Sequence, residues 1–210
     1  MSRRCVRWAL ALPLLTLLAA WGCGRAAADP KVERTYDPQT GKLNRLAADL
    51  NGDGRPDTWT YMDGTTPLRT EQDLDGDGLI ERWEYTRPDA SIEKIAVSRA
   101  RNGKPDMWTY LDASGHITRV EMAASGAAGA AGGGIERTEF YEEGRLVRVD
   151  EDTDGDGRVD KWEKHDGPTV LSVEFDLDRD GKPDERVTFG SGGVVTSRER
   201  IGRSKGSNSP

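Results

Sequence analysis

A unit of about 24 residues recurs along this chain, and that repeat constrains its fold more than any other feature. Aligned on a short aromatic segment, the units begin at Glu33, Thr58, Arg82, Met107, Arg137, Lys161 and Glu185, at spacings of 25, 24, 25, 30, 24 and 24. The alignment carries its own check. Trp59, Trp83, Trp108 and Trp162 fall on one repeat position, and Tyr36, Tyr61, Tyr85 and Tyr110 share another, with Phe140 at the equivalent place. A unit this short cannot enclose a core by itself, so neighbours must stack and bury each other's apolar side chains.

Each unit reads in three parts. The opening x-Trp-x-Tyr, as in Thr58-Trp59-Thr60-Tyr61 and Arg82-Trp83-Glu84-Tyr85, alternates with period 2 and predicts a strand with one apolar face. A tight turn follows, at Asp63-Gly64, Asp112 to Gly115, Glu143-Gly144 and Asp166-Gly167, where glycine supplies the positive φ of a hairpin. The third part places apolar residues three apart: Leu43 and Leu46, Ile92 and Ile95, Ile117 and Val120, Leu146 and Val149, Val170 and Val173. These segments are short and bounded by Gly or Pro, which argues against a helix. A spacing of three in a strand predicts a bulge or a strong twist. The expected fold class is therefore all-β: an elongated antiparallel sheet of hairpin repeats, a meander or solenoid-like sheet, with an aromatic ladder along one face. The rhythm of these hairpins resembles that of the bacterial MORN-type repeat proteins, whose units are hairpins of similar length ending in Gly turns.

Two stretches break the pattern. Residues 123–134 (AASGAAGAAGGG) stand where the fourth unit should carry its acidic loop, and their composition predicts a flexible linker between units 1–4 (33–122) and units 5–7 (135–202). The tail at 203–210 is Ser/Gly/Lys-rich and is expected to be disordered.

The acidic loops carry the chemistry. Four share one spacing: Asp49, Asn51, Asp53 and Asp57; Asp73, Asp75, Asp77 and Glu81; Asp152, Asp154, Asp156 and Asp160; Asp176, Asp178, Asp180 and Asp184. Oxygen donors sit at loop positions 1, 3, 5 and 9, with Gly at 6. That spacing wraps alternate side chains around one point, as a hard Ca²⁺ ion with its 6–8 oxygen ligands requires. The carbonyl at position 7, Leu79 or Arg158, is expected to add a ligand. Glu84 and Glu163 fall at position 12 of their loops, the place of the bidentate Glu of an EF-hand loop. The loops thus resemble those of EF-hand, dockerin and thrombospondin type-3 proteins, and the resemblance implies calcium as the cofactor. It stops at the loop ends, since Trp-x-Tyr follows where a helix would begin. Pro56 and Pro183 at position 8 lack the N–H that paired EF-hand loops exchange. A further loop at 98–106 carries Ser98 and Ala100 at positions 1 and 3, and no metal is expected there.

The N-terminus reads as an export signal. Arg3, Arg4 and Arg7 precede an apolar run over 8–20, broken only by Pro13 and Thr16. The run is too short for a spanning helix and fits a secretory signal over 1–22. The small residues before Cys23 resemble a bacterial lipobox, which implies lipidation of Cys23 and a membrane anchor. Gly24 in place of Asp points to the outer membrane or cell surface. The competing reading is plain secretion after Ala26-Ala27-Ala28. Cleavage before Cys23 leaves 27 basic against 37 acidic residues, a net −10, and a single cysteine without a disulfide partner. That charge speaks against a nucleic-acid partner.

No G-x-S-x-G, phosphate loop or dinucleotide fingerprint is present, and His116 and His165 read as solvated turn histidines, so an enzyme is not expected. The expected function is a calcium-stabilised exported lipoprotein acting as a structural or binding module at the cell envelope. The alternatives are a dockerin-like docking module and, behind it, a secreted enzyme. The aromatic stripe is read first as the core of a thin repeat protein, with a platform for a glycan or protein partner as the other reading.

Overall fold

The computed structural model describes residues 31–124 and 134–202. The expected signal peptide, Cys23, most of the Ala/Gly insertion and the tail lie outside the described residues. The described residues form fourteen strands: β1 (Lys31–Tyr36), β2 (Leu43–Asp49), β3 (Thr58–Asp63), β4 (Thr66–Gln72), β5 (Arg82–Thr86), β6 (Ile92–Val97), β7 (Met107–Leu111), β8 (Ile117–Ala123), β9 (Ile135–Glu142), β10 (Arg145–Glu151), β11 (Lys161–Asp166), β12 (Thr169–Phe175), β13 (Glu185–Phe189) and β14 (Val195–Arg200). They make one open antiparallel sheet in strict sequence order, the hairpin meander that the repeat predicts. β8 pairs directly with β9 across the insertion, so the units on either side share that sheet. At about 4.8 Å per strand the sheet is roughly 60 Å across.

The strand register sorts the side chains onto two faces. One row runs Ala47, Trp59, Glu71, Trp83, Ala96, Trp108, Glu121, Thr138, Asp150, Trp162 and Glu174, so the four tryptophans of the described residues share a face, alternating with small or acidic partners. The next row on that face runs Thr35, Arg45, Tyr61, Arg69, Tyr85, Lys94, Tyr110, Arg119, Phe140 and Arg148. Each ring is thus flanked by cations. Arg69 lies 4.6 Å from the Tyr61 ring centre, Lys94 4.3 Å from Tyr85, Arg119 4.1 Å from Tyr110 and Arg148 5.3 Å from Phe140. Such contacts contribute about 0.5–1 kcal/mol each at exposed sites.

The first unit departs from the expected alignment. Thr35, not Tyr36, occupies the aromatic row, and Tyr36 pairs with Leu43 and points the other way. The true start of that unit is Val32, which shares its row with Ala48 and Thr58.

The opposite face is aliphatic, and the spacing of three has a structural cause. The ladder skips one residue next to each tight turn: Asn44, Leu68, Glu93, Thr118, Val147, Leu171 and Thr196. A skipped residue shifts the pleat by one, so Leu43 and Leu46, or Val170 and Val173, land on the same face. Val149 is fully buried there, between Val120 and Val173 two strands away on either side. Stability therefore comes from two thin, half-buried layers, one on each face. The outer edges are charged. Continuing the sheet in register from β14 to β1 of another copy would set Glu199 against Glu33 and Arg198 against Arg34, like charges that oppose such pairing.

Candidate metal-binding loops

Strict up-and-down order sends the tight turns to one edge of the sheet and the nine-residue loops to the other. Those loops, 49–57, 73–81, 98–106, 152–160 and 176–184, are called first to fifth. All five follow one backbone path. Positions 4 and 6 have positive φ throughout: 78° and 95° at Gly52 and Gly54, 78° and 90° at Gly76 and Gly78, 50° and 72° at Arg101 and Gly103, 77° and 88° at Gly155 and Gly157, and 63° and 85° at Arg179 and Gly181. Glycine adopts that conformation freely.

The acids wind the loops by accepting backbone N–H groups. At position 1, Asp49 accepts from Gly52 and Gly54 (2.7 and 2.9 Å), Asp73 from Gly76 and Gly78 (2.7 and 2.9 Å), Asp152 from Gly155 and Gly157 (both 2.7 Å) and Asp176 from Arg179 and Gly181 (both 2.7 Å). At position 5, Asp53, Asp77, Asp156 and Asp180 accept from the residues at position 7, Arg55, Leu79, Arg158 and Lys182, at 2.8–3.0 Å. At position 9 the carboxylate closes the loop onto position 2. Asp57 takes the Leu50 N–H at 3.0 Å, Glu81 that of Leu74 at 2.8 Å, Asp160 that of Thr153 at 3.1 Å and Asp184 that of Leu177 at 2.9 Å. These residues have a structural task in the loop whether or not an ion is bound.

Among the described residues, three sets of carboxylates converge so that one oxygen from each member lies within 4.8 Å of the others: Asp73, Asp75, Asp77 and Glu81; Asp152, Asp154 and Asp160; Asp176, Asp178 and Asp184. Asp156 and Asp180 stand outside their groups, and Asp49, Asp53 and Asp57 form no such group. In the second loop, Glu81 is only 4% exposed, and its Oε1 is buried without a hydrogen-bond partner. An anionic oxygen stripped of water and left unpaired costs about 1–3 kcal/mol or more. A hard divalent cation at the centre of that all-oxygen group would remove this cost, so the donor set fits such an ion.

Glu84 and Glu163 do not join these groups. Position 12 lies within a strand here, and the pleat sets both residues on the aliphatic face. Glu84 binds Arg82 (2.8 Å from Nε), and Glu163 binds Lys161 (2.7 Å) and His165 (2.8 Å). Burial alone would raise the Glu163 carboxyl, but these two partners hold it below its ordinary value. Lys161, between Glu151 and Glu163, is held above its own. His165 is likewise not a solvated turn residue. It sits in β11 with its ring 7% exposed. His116 does lie in the turn, 3.4 Å from Asp112.

The third loop, from which no metal was expected, keeps the loop path with cations of its own. Asp106, 4% exposed, accepts the N–H groups of Arg99 (2.9 Å) and Ala100 (3.1 Å) and the Arg99 Nε (3.1 Å). Burial would push its carboxyl up, yet those donors together hold it below 3.8. Arg99 also reaches the carbonyls of Asp106 and Ala123. The sequence reading passed over these arginines, although their place in register with Gly52, Gly76 and Gly155 marks Arg101 and Arg179 as exceptions.

On the aromatic face Trp162 borders a broad open hollow with Arg148, Lys164, Glu174 and Arg186. The rows of Tyr and cation are packed on one another, and Trp83 is 9% exposed, which supports the face as core. The described residues contain no α-helix, so the helix that a dockerin-like duplicate needs is absent from them.

No family model matches the chain, and no curated protein matches it by sequence. Among solved structures, it is similar to the accessory secretory protein 1, 2 and 3 assembly of Streptococcus pneumoniae, at 14% identity and a TM-score of 0.37, over 52% of this chain and 19% of that one. It is also similar to a porin-like protein from Bacteroides uniformis, at 13% identity and a TM-score of 0.20, over 80% of this chain and 58% of that one. The chain thus spans less than two thirds of the length of either, and likenesses this low carry no functional argument.

Proposed function

We propose that this chain is a calcium-binding, calcium-stabilised exported lipoprotein that serves as a structural or binding module at the cell envelope. One observation carries the reading: the buried, unpartnered Glu81 Oε1 beside Asp73, Asp75 and Asp77. Four acids so close repel one another unless a cation sits among them. Calcium suits the set better than magnesium, which binds through fewer carboxylates and keeps its waters. A bound ion would supply two positive charges, and the chain's residues do the rest. Asp73 holds the Gly76 and Gly78 amides, Asp77 holds that of Leu79, and Glu81 ties the loop end to Leu74. The fourth and fifth loops offer smaller groups of the same kind. Ion binding would contribute directly to folding, because it consolidates connections within the single sheet that the described residues form. The basic and apolar N-terminus with Cys23 supports export and a lipid anchor at the outer membrane or surface. The aromatic face remains the surface on which a protein or glycan partner would be sought.

Calorimetric titration of the purified chain tests the metal reading. Heat of binding is expected with affinities of about 10⁻⁴–10⁻³ M, the range of extracellular calcium modules. A flat trace at millimolar calcium overturns it. For the anchor, Cys23→Ser is expected to move the protein from the membrane fraction to the soluble one, and unchanged partitioning would refute lipidation.

A further inference from the structure

Two arginines recur at one place in the loops. Arg101 and Arg179 occupy position 4 of the third and fifth loops, where the first, second and fourth carry Gly52, Gly76 and Gly155. Both adopt the left-handed backbone that glycine accepts and arginine resists, with φ of 50° and 63°. Both extend back along the loop edge to the same target, the position 3 aspartate of the preceding loop. Arg101 Nη1 lies 3.4 Å from Asp75 Oδ2, and Arg179 Nη2 lies 2.6 Å from Asp154 Oδ2. The second and third loops are also in van der Waals reach, since a Cβ added at Gly103 would lie 3.4 Å from Leu79 Cδ2. Asp75 and Asp154 are both members of the converging carboxylate groups.

We infer that Arg101 is a tethered cation that competes with a divalent ion for Asp75, so that loading the second loop releases the third, and that Arg179 acts likewise on Asp154. This inference rests on the calcium reading and adds its regulation. Asp75 Oδ2 cannot be held fully by a guanidinium and by an ion at once, and a divalent ion at the group is repelled by a fixed positive charge a few ångströms away. The pair is solvent-accessible, with side-chain exposures of 72% and 33%, so the competition weakens binding without abolishing it. Glu81, whose buried Oε1 has no such partner, keeps the site attractive to an ion while Asp75 is engaged. The loops thereby form two coupled pairs, the second with the third and the fourth with the fifth. Ion occupancy on one member changes the freedom of an arginine on the other.

The test follows the Gly78 amide by NMR during calcium titration of the full chain, which reports the second loop alone. Arg101→Gly and Arg101→Asn remove the charge and both tolerate positive φ. Each is expected to lower the calcium midpoint about three- to ten-fold, as loss of one nearby partly screened charge should. Arg101→Lys, which keeps the charge, is expected to stay near the wild-type midpoint. In the wild type the Arg101 Nε resonance should shift as the Gly78 amide titrates. If the wild type binds and the neutral variants bind with the same midpoint, this inference fails and the calcium reading stands. If neither the wild type nor any variant shows a calcium-dependent Gly78 shift, both fall together.

Discussion

The second and third loops follow one backbone path and differ in what balances their acids. Both have positive φ at positions 4 and 6, and both close through a buried carboxylate at position 9, Glu81 or Asp106. In the third loop the chain brings its own cation, since Arg99 at position 2 lays its guanidinium on Asp106. In the second loop position 2 is Leu74, 62% exposed, and one oxygen of Glu81 has no partner. The lesson is that the loop conformation is set by the two left-handed residues, the acceptors at positions 1 and 5 and the closing carboxylate. In the third loop the neutral Ser98 and Asn102 accept the Asn102 and Lys104 N–H groups, as Asp73 and Asp77 accept theirs in the second, so the winding needs acceptors more than charge, and the acids of the second loop leave a charge for something else to neutralise. Calcium, on this account, consolidates a path the backbone already takes.

The comparison breaks most readily at Asp106. Asp106→Ala removes the acceptor of two backbone N–H groups and a guanidinium. It is expected to cost about 3 kcal/mol in urea unfolding, the loss of a buried charged hydrogen-bond acceptor. That cost should be equal in calcium and in EDTA. A strongly calcium-dependent cost would mean that the third loop also depends on metal. Next in size is the effect of chelator on the wild type. At calcium ten-fold above its dissociation constant each site adds about 1.4 kcal/mol, so EDTA should lower the melting temperature by about 3–6 °C per occupied site. Unchanged melting would count against any occupied loop.

Smaller but sharper is Glu81→Gln. Gln keeps an acceptor for the Leu74 N–H and removes the buried charge. It is expected to cost about 1 kcal/mol in calcium, where a ligand is lost, and to be neutral or slightly stabilising in EDTA, where an unpaired buried anion is lost. A cost of the same sign and size in both conditions would show that Glu81 serves only loop closure.

How much of this was legible in the sequence follows from what each position has to obey. The repeat, the strands and the hairpin turns were readable because aromatic alternation and Gly turns are local signals. Thr58, Arg82, Met107, Lys161 and Glu185 do open strands β3, β5, β7, β11 and β13. The spacing of three was readable as a bulge, though only the register reveals that Asn44 and its counterparts are the residues skipped. Tyr36 misled because an aromatic three residues into the unit matched the others in sequence, while the pleat of β1 turns it to the aliphatic face. Glu84 and Glu163 misled for a related reason. The position 12 ligand belongs to loops that exit into a helix, and here the exit is a strand whose period-2 geometry takes both residues to Arg82 and Lys161. His165 does border the expected turn at Asp166-Gly167, but it is not solvated, because its place in β11 sets it against Glu163. Arg101 and Arg179 stood out by replacing the glycine at position 4, but their partners Asp75 and Asp154 lie in the preceding loop, and nothing local shows that Arg99 folds back onto Asp106 of its own loop and reaches the Ala123 carbonyl.

The finest distinction between the two loops concerns pH. The Asp106 carboxyl is held below 3.8 although burial works against it, because the donors from Arg99 and Ala100 outweigh that burial. A depressed folded-state value means the contribution to stability is complete above the unfolded value near 3.8 and is lost as pH falls through the folded value. Arg99→Ala removes the guanidinium and keeps both backbone donors. Arg99 is 39% exposed, so its charge should contribute no more than about 0.5–1 kcal/mol at neutral pH. The stability difference between wild type and Arg99→Ala is therefore expected to be constant down to about pH 4 and to shrink below it as Asp106 protonates. What persists at lower pH reports the contacts of Arg99 with the carbonyls of Asp106 and Ala123. Acid unfolding curves of the two proteins in EDTA measure this directly. A difference that stays constant through the acid limb would mean that Arg99 holds the third loop through those carbonyls alone, and the contrast with the second loop would then rest on shape instead of charge.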